Sequence, residues 1–210
     1  MRAEISPGGA VRGYVLAGGA SSRFGSDKAL AKIGQESVLE RVCRLLDEAT
    51  GEVRVIAPDG RYPDFQGKLV SDRWPGQGPL GGIITALLLT AESGASEWNL
   101  ILSCDMPFLT GEWLSYLAGR ALRSSAEVVV PESRHGWEPL CACWRTAGAS
   151  ELALAFDQGV RKVTEAMRRL PVEVLDERDW KRFDSAERLF WNMNTYQDYQ
   201  QALRLWGKET

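Results

Sequence analysis

The sequence predicts an α/β protein, a single three-layer, Rossmann-like domain with a mostly parallel sheet. Short apolar runs rich in β-branched residues alternate along the chain with longer stretches of helical periodicity. This alternation is typical of right-handed βαβ units, in which helices cover both faces of a sheet. The loops with unusual chemistry all follow predicted strands, which is where ligands bind in such sheets.

The composition fits one folded domain that binds neither nucleic acid nor membranes. The chain has 210 residues, of which 44% are hydrophobic and 25% charged, enough for a well-buried core. Its net charge of −3 provides no basic field for nucleic acid or anionic lipid. Residues 1–12, with Pro7, Gly8 and Gly9, are predicted to form a flexible tail before a domain over residues 13–210. The start lacks the apolar segment of a signal peptide, so we expect a cytoplasmic protein.

The first half of the chain is predicted to alternate strands with two helices. Residues 11–17 form an apolar strand, and residues 37–49 form an amphipathic helix whose apolar side chains lie three and four apart. Residues 53–57 and 68–71 are further strands, the former ended by a Pro-Asp-Gly turn. A glycine-rich loop leads into a buried helix, at residues 75–82 and 83–91 respectively.

The second half of the chain is predicted to add a central strand and then a less regular pattern. Residues 98–103 are a continuous apolar run, typical of a strand covered on both faces. Thr110 is the predicted N-cap of a helix over residues 112–123. The remaining predicted strands are residues 127–130, 140–144 and 172–175, and the remaining helices are residues 147–156, 160–170 and 196–206.

The four cysteines are predicted to be reduced thiols, mostly buried. Cys43 lies on a predicted helix, Cys104 follows a strand, and Cys141 and Cys143 alternate along another strand. A metal site would favour a C-x-x-C pair or several histidines, and the chain has only His135. Reduced thiols agree with a cytoplasmic location.

The loop after the first strand is the most informative segment of the chain. Residues 15–28 are Val-Leu-Ala-Gly-Gly-Ala-Ser-Ser-Arg-Phe-Gly-Ser-Asp-Lys. Gly18 and Gly19 allow backbone N–H groups to approach an anion closely, while Arg23 and Lys28 add cationic donors. The adjacent pair Gly18-Gly19 does not fit the dinucleotide fingerprint G-x-G-x-x-G. The loop is not a P-loop either, because alanine and not serine or threonine follows Lys28. The pattern predicts a cradle for a triphosphate.

Two aspartates follow other predicted strands. Asp105 comes after the most apolar strand and is predicted to hold a divalent cation that bridges phosphate oxygens. Its alternative role is to cap the turn into the next helix. Asp72 precedes the loop rich in glycine and proline, and is predicted to accept a hydrogen bond from a base or ribose, or to hold the metal. Its alternative role is that of a turn-forming residue.

Other polar residues near the ends of elements allow two interpretations. Asn192 and Asn194 could present side-chain amides to a polar ring, or their segment could cap the last helix. We expect His135 to be solvated, with a substrate contact as the alternative, and Trp74 to be a hydrophobic plug rather than a stacking platform. The sequence shows no Ser/His/Asp or Cys/His nucleophile, and direct in-line attack at phosphorus needs none.

Taken together, these motifs resemble those of the molybdenum cofactor guanylyltransferases. The first loop alone is typical of the wider nucleotidyltransferase superfamily, and the combination of blocks is more specific. The blocks come in the family's order and cover nearly all of the chain after Gly13: residues 16–30, 78–83, 104–107, 138–140 and 192–195.

The resemblance implies a Mg²⁺-dependent reaction on a nucleotidyltransferase-type fold. The terminal phosphate of molybdopterin would attack the α-phosphorus of GTP, release pyrophosphate and leave the guanine dinucleotide form of the cofactor. Lys28, Asp105 and Arg23 would act on the phosphates, and Asp105 would bind Mg²⁺. The residues that the resemblance implies for substrate binding are Leu16, Ala17, Gly18, Gly19, Lys28, Asp72, Asp105, Asn192 and Asn194. Molybdoenzymes and other cofactor-synthesis proteins are the partners it suggests.

This chain differs from the family pattern at two places, and two alternative functions stay open. Family members often place an asparagine near the nucleotide where this chain has Ala57-Pro58-Asp59, and Tyr196 replaces a proline at the last helix. A cytidylyltransferase that acts on the same cofactor is one alternative, but Gly18 leaves room for a purine and favours GTP. A protein that binds GTP or the cofactor without catalysis is the other.

Overall fold

A twisted sheet with helices on both faces organises the chain, which confirms the predicted fold class. The computed structural model describes residues 10–19, 27–184 and 188–207. The main sheet has the strand order β10-β7-β9-β6-β1-β4-β5, and β8 pairs with β7. The strands are β1 (Val11–Leu16), β2 (Lys32–Ile33), β3 (Glu36–Ser37), β4 (Val53–Ala57), β5 (Lys68–Ser71), β6 (Trp98–Ser103), β7 (Val128–Ser133), β8 (Gly136–Trp137), β9 (Cys141–Arg145) and β10 (Val172–Leu175).

The main sheet is parallel except at β8 and β9. Strand β1 runs parallel to both β4 and β6, and β7 runs parallel to β10. Strand β9 lies antiparallel between β6 and β7. As a result, the chain that enters β9 lies at the same edge of the sheet as the chain that leaves β6.

The helices bury two separate apolar cores, one on each face of the sheet. The core on one face is closed by α1, α3 and α7, and the core on the other by α2, α4 and α5. Both cores contain fully buried side chains, such as Leu46 and Ile84. The helices are α1 (Val38–Thr50), α2 (Pro79–Ser93), α3 (Gly111–Ala121), α4 (Ala149–Asp157), α5 (Val163–Met167), α6 (Glu177–Trp180) and α7 (Tyr196–Trp206).

Side chains cap the N-termini of α1, α3 and α7, and of these the caps of α3 and α7 were predicted from the sequence. Ser37 and Thr195 each form a capping box with the acidic residue three positions later. Thr110 accepts a hydrogen bond from the backbone N–H of Trp113, as predicted. The predicted capping role of the segment before the last helix therefore belongs to Thr195.

The glycine-rich loop is shorter than predicted, because α2 begins at Pro79 rather than at residue 83. Proline suits the first helical position, where a missing N–H costs nothing. Gly81 and Gly82 stay in the first turn because they pack closely: a Cβ at Gly81 would lie 3.0 Å from the Trp74 Cβ, and one at Gly82 would lie 3.1 Å from a Leu16 methyl. The sequence analysis did not predict the β2–β3 hairpin, β8 or α6, which are all very short.

Several smaller predictions can be compared with the structure. Of the predicted tail, residues 1–9 lie outside the described residues, whereas Val11 and Arg12 belong to β1. All four cysteines are free thiols, and three of them are buried, as predicted. Trp74 packs against Phe156 and the α2 side of the core, which confirms its role as a plug. In the part of the chain that the structure describes, no helix is long and apolar enough to cross a bilayer.

We predict that Gly13→Ala destabilises the protein by about 1–3 kcal/mol, the usual cost of overpacking a core. A Cβ at Gly13 would lie 2.8 Å from both the Leu46 Cγ and the Thr50 Oγ1, and 3.0 Å from the Glu52 carbonyl oxygen. The strand and α1 would have to move apart. Urea unfolding measures the change.

Gly119→Ala, in α3, is the matched control. Its Cβ would make only ordinary contacts, at 3.7 Å from Arg123, and alanine favours a helix interior by up to about 1 kcal/mol. Equal unfolding midpoints for the two variants would contradict the close packing of β1 on α1.

Candidate functional site

The predicted site residues gather at one edge of the sheet, where β1, β4, β5 and β6 end. Four loops meet at this edge, and they follow Leu16, Ala57, Ser71 and Ser103. Arg23 lies outside the described residues. The site therefore occupies the carboxyl ends of parallel strands, as expected for this fold.

An ion pair joins the first loop to the loop after β6. Lys28 Nζ donates a hydrogen bond to Asp105 Oδ2 at 2.6 Å, and the side chains of both residues are mostly buried. The other carboxylate oxygen of Asp105, Oδ1, is buried and has no hydrogen-bond partner among the described residues. Lys28 has further N–H donors to offer, so the pair presents both a cationic donor and an unused anionic oxygen.

Asp27 fixes the position of Lys28 from the preceding residue. Its side chain caps a short 3₁₀ helix over Lys28–Leu30 by accepting from the Ala29 N–H at 3.1 Å. Its other oxygen accepts two hydrogen bonds from the Arg61 guanidinium, at 2.6 and 2.9 Å. The backbone that carries Lys28 is thereby tied to the loop after β4.

Tyr62 connects the two ends of the first loop, and the sequence analysis did not identify it. Its buried hydroxyl lies 3.0 Å from the Ala17 carbonyl oxygen, before the loop, and 3.3 Å from Asp27 Oδ1, after it. Tyr62 is also the one non-glycine residue with a positive φ, 59°, within the described ranges. A bulky residue holds that conformation only where its surroundings require it.

Asp72 and Gly18 face each other across the nucleotide side of the site. Asp72 Oδ1 accepts hydrogen bonds from the Trp74 N–H at 3.0 Å and the Thr85 hydroxyl at 3.1 Å, so Asp72 does form a turn. Its Oδ2 lies toward Gly18, 4.0 Å from where a Cβ would stand, and Pro58 Cδ lies at 3.7 Å. One oxygen thus holds the loop, and the other faces the predicted cradle.

A cavity of about 1000 Å³ lies between the segment that precedes β9 and the segment that follows β10. Asn192 lines it, and the backbone N–H of Met193 donates to the Asp105 carbonyl oxygen at 2.9 Å. Much of the wall comes from the segment after β10, including Trp180 and Trp191. The C-terminal segment is therefore bonded directly to the loop that carries Asp105.

The two predicted asparagines differ in their surroundings. Asn192 is partly buried in the cavity wall, where its side-chain N–H donates to the Phe190 carbonyl oxygen at 3.2 Å. Asn194 is exposed, and its backbone N–H donates to Asp198 in the cap of α7. The structure brings Asn192, but not Asn194, to the cavity wall. His135 lies exposed at the rim of the cavity, as predicted.

Glu138 is a second residue that the sequence analysis did not single out. It lines the cavity, and its Oε1 accepts a hydrogen bond from the Ser133 hydroxyl at 2.6 Å. Burial raises the pKa of Glu138 above its usual value, and the Ser133 hydrogen bond partly offsets this. The motif Glu-Pro-Leu was visible in the sequence, but nothing local to it indicates a buried carboxylate.

Cys104 is next to Asp105 but is not a nucleophile. Burial, together with the Asp105 charge, raises the pKa of the Cys104 thiol to about 12. A thiol with this pKa is protonated at neutral pH and unreactive.

The site thus offers donors for phosphate and a free carboxylate oxygen, and it separates two binding regions on either side of Asp105.

Comparison with known proteins gives consistent results. A family model described as "MobA-like NTP transferase domain" matches residues 13–172. A Mycobacterium bovis protein named "Probable molybdenum cofactor guanylyltransferase" is 33% identical, over 88% of this chain and 94% of its own length. The "Molybdenum cofactor guanylyltransferase" of Desulfosudis oleivorans is 29% identical, over 92% of this chain and 94% of its own.

A solved structure confirms the fold. The crystal structure of "Molybdopterin-guanine dinucleotide biosynthesis protein A" from Archaeoglobus fulgidus superposes with a TM-score of 0.81 at 24% identity. The superposition covers 94% of this chain and 99% of that one. The two proteins share the sheet flanked by helices of the nucleotidyltransferase type.

We predict that Tyr62→Phe weakens GTP binding about threefold to tenfold, because one hydrogen bond contributes about 0.5–1.5 kcal/mol. The variant keeps the ring but loses the hydroxyl that links Ala17 to Asp27, so the loop ends are held less firmly. Titration calorimetry measures the affinity, and a thermal melt confirms folding.

Tyr14→Phe is the matched control. Tyr14 is also buried in the sheet, and its hydroxyl forms a hydrogen bond with Thr90 at 2.8 Å in the core on the α2 side. We expect it to lower the melting temperature without changing the affinity for GTP. If both variants bound GTP as tightly as the parent protein, Tyr62 would have no role in positioning the loop.

Proposed function

Because the chain belongs to the MobA-like NTP transferase family, we propose that it transfers GMP from GTP to the terminal phosphate of molybdopterin. The products are molybdopterin guanine dinucleotide and pyrophosphate. Relatives that align over nearly the whole chain carry the name molybdenum cofactor guanylyltransferase. No comparison favours CTP as the nucleotide.

The observation that carries this proposal is the strand order, in which β6, followed by Asp105, lies between β1, followed by the first loop, and β9, preceded by part of the cavity wall. On one side lie the loop after β1 and Asp72, which suit a nucleoside triphosphate. On the other side lies the cavity lined by Asn192, which is large enough for a second substrate. A transferase that joins two phosphate groups needs both substrates to meet at one charged centre.

The chemistry is a direct displacement at phosphorus. An oxygen of the acceptor phosphate forms a bond to the α-phosphorus of GTP, and the bond from that phosphorus to the bridging oxygen of the β-phosphate breaks. Lys28 donates hydrogen bonds to the phosphates and offsets the negative charge that develops on the departing pyrophosphate. The backbone N–H groups of Gly18 and Gly19 orient the nucleotide, because the Ala17 N–H already donates to the Ile56 carbonyl oxygen at 2.9 Å, and Arg23 adds a second cation. No nucleophile from the protein takes part.

Dependence on Mg²⁺ is part of the proposal, and the residues fit this ion. Mg²⁺ prefers oxygen ligands and commonly binds through one or two carboxylates together with substrate phosphates and water. Asp105 Oδ1 is such an oxygen, buried and without a partner in the described chain. Within the same residues no three His, Cys, Asp or Glu side chains converge, so the remaining ligands would come from GTP and water. When bound, the ion would neutralise phosphate charge.

A cytoplasmic location and transfer of the product to further partners are also part of the proposal. The four cysteines are free thiols, as is usual in a reducing compartment. Transfer of the finished cofactor to molybdoenzymes would be the next step, and it stays a prediction.

The first test of this function is pyrophosphate release with Mg²⁺ and molybdopterin, compared among GTP, CTP, ATP and UTP. We expect release with GTP alone. Release mainly with CTP would overturn the choice of base, and GTP binding without release would indicate a binding protein. The Gly18→Ala variant forms a second arm, because its methyl makes only ordinary contacts with Pro58 and Asp72 while narrowing the space for a purine. We expect this variant to lower the ratio of pyrophosphate release with GTP to pyrophosphate release with CTP.

We predict that Asp105→Asn lowers kcat by about a hundredfold or more, comparable to the loss of a group that stabilises the transition state. Asparagine keeps the size and an oxygen for Lys28 but removes the anionic ligand. GTP affinity without metal should change less than tenfold, as measured by calorimetry. The control is Asp64→Asn, an exposed carboxylate between β4 and β5. Full turnover in Asp105→Asn would contradict the assigned role of Asp105.

A further inference from the structure

The cavity beyond Asp105 combines aromatic walls with several carboxylates, of which Glu138 is partly buried and lies just before β9. Trp137, Trp180, Phe190 and Trp191 all line it, and such side chains suit a flat ring. Trp191 is already stacked on Phe108, with ring centroids 5.4 Å apart and nearly parallel planes. The wall is therefore largely formed before any ligand binds.

Glu138 presents one carboxylate oxygen to this cavity. Ser133 occupies Oε1 at 2.6 Å, and no described residue donates a hydrogen bond to Oε2. No salt bridge to Glu138 is formed in the described parts of the chain. A partly buried carboxylate with an unused acceptor favours a ligand that brings N–H donors.

The chemical group that fits best is a flat ring with two adjacent, parallel N–H donors. A carboxylate accepts two such hydrogen bonds side by side, as it does from an arginine fork. The 2-amino-4-oxopyrimidine edge of a pterin has this arrangement, in its ring N–H and its amino group. We propose that Glu138 recognises this edge of the acceptor's pterin, an inference that rests on the proposed function and names the residue that selects the second substrate.

Guanine carries the same pair of N–H donors as the pterin. The strand order of the sheet indicates which of the two rings Glu138 binds. Glu138 lies just before β9, and the Leu140 carbonyl oxygen accepts from the Ser103 N–H at 2.9 Å, on the far side of β6 from β1. Gly18 and Asp72 follow β1 and β5, on the near side. Strand β6 and Asp105 therefore separate Glu138 from the nucleotide loop, and the edge that Glu138 binds belongs to the acceptor.

Equilibrium dialysis with two fragments tests the assignment without requiring catalysis. The probes are 6-hydroxymethylpterin and 6-hydroxymethyllumazine, in which a carbonyl replaces the 2-amino group and faces the carboxylate unfavourably. We expect the parent protein to bind the pterin about tenfold or more tightly than the lumazine. Glu138→Gln should lose this preference while keeping its affinity for GTP. The control is Glu132→Gln, an exposed carboxylate of the same cavity, which should keep the preference.

Each outcome either supports or overturns the proposal. It is overturned if the parent protein binds no pterin or binds both fragments equally, or if Glu138→Gln still prefers the pterin. If Glu132→Gln also lost the preference for the pterin, the preference would come from the negative charge of the cavity and not from Glu138, and the proposal would be overturned. If Glu138→Gln bound GTP more weakly, Glu138 would bind the edge of guanine and not that of the pterin. Failure of pyrophosphate release with intact pterin preference would instead contradict the proposed function alone. A melting curve of each variant confirms that the fold is retained.

Discussion

The ion pair between Lys28 and Asp105 joins two loops that lie 77 residues apart in the sequence. Each loop leaves the sheet at the end of a central strand, and β1 and β6 are paired in register along their whole length. The sheet places Asp105 beside the start of the first loop, and the hydrogen bonds of Asp27 to Arg61 and Tyr62 hold Lys28 at the end of that loop. The side chains of Lys28 and Asp105 are mostly withdrawn from solvent, where a charge is stable only when it has a partner. The pair is thus a consequence of the fold and also the reason that the two loops stay together.

The antiparallel strand β9 makes the site two-sided. In a purely parallel sheet, each strand contributes only the residues that follow it to the ligand-binding edge. Because β9 runs in the opposite direction, the residues before it, including Glu138, lie beside the residues that follow β6. The hydrogen bond from Met193 to the Asp105 carbonyl oxygen then closes the far wall. The proposed nucleotide and acceptor regions are therefore built from different strands around one aspartate.

Local patterns in the sequence predicted the elements and the charged residues better than they predicted long-range contacts. Strands β4, β5, β6 and β10 begin and end where periodicity and turn residues indicated. Asp105 was identified because it follows the most apolar strand, and Asp72 because it precedes a glycine-rich loop. Tyr62 was missed because nothing near it in the sequence indicates that its hydroxyl reaches Ala17, 45 residues away. Glu138 was missed because nothing near it in the sequence indicates that it lines a cavity together with aromatic side chains of the C-terminal segment.

The cavity wall after β10 has a consequence for how such enzymes can be altered. The family match ends at residue 172, whereas Trp180, Trp191 and Asn192 lie beyond it and line the acceptor side. The nucleotide-handling half and most of the acceptor wall are therefore consecutive pieces of chain, joined near β10. A chimera that exchanges only the piece after this junction would keep the triphosphate chemistry and also Glu138, which lies before the junction, while the shape of the remaining acceptor wall would change.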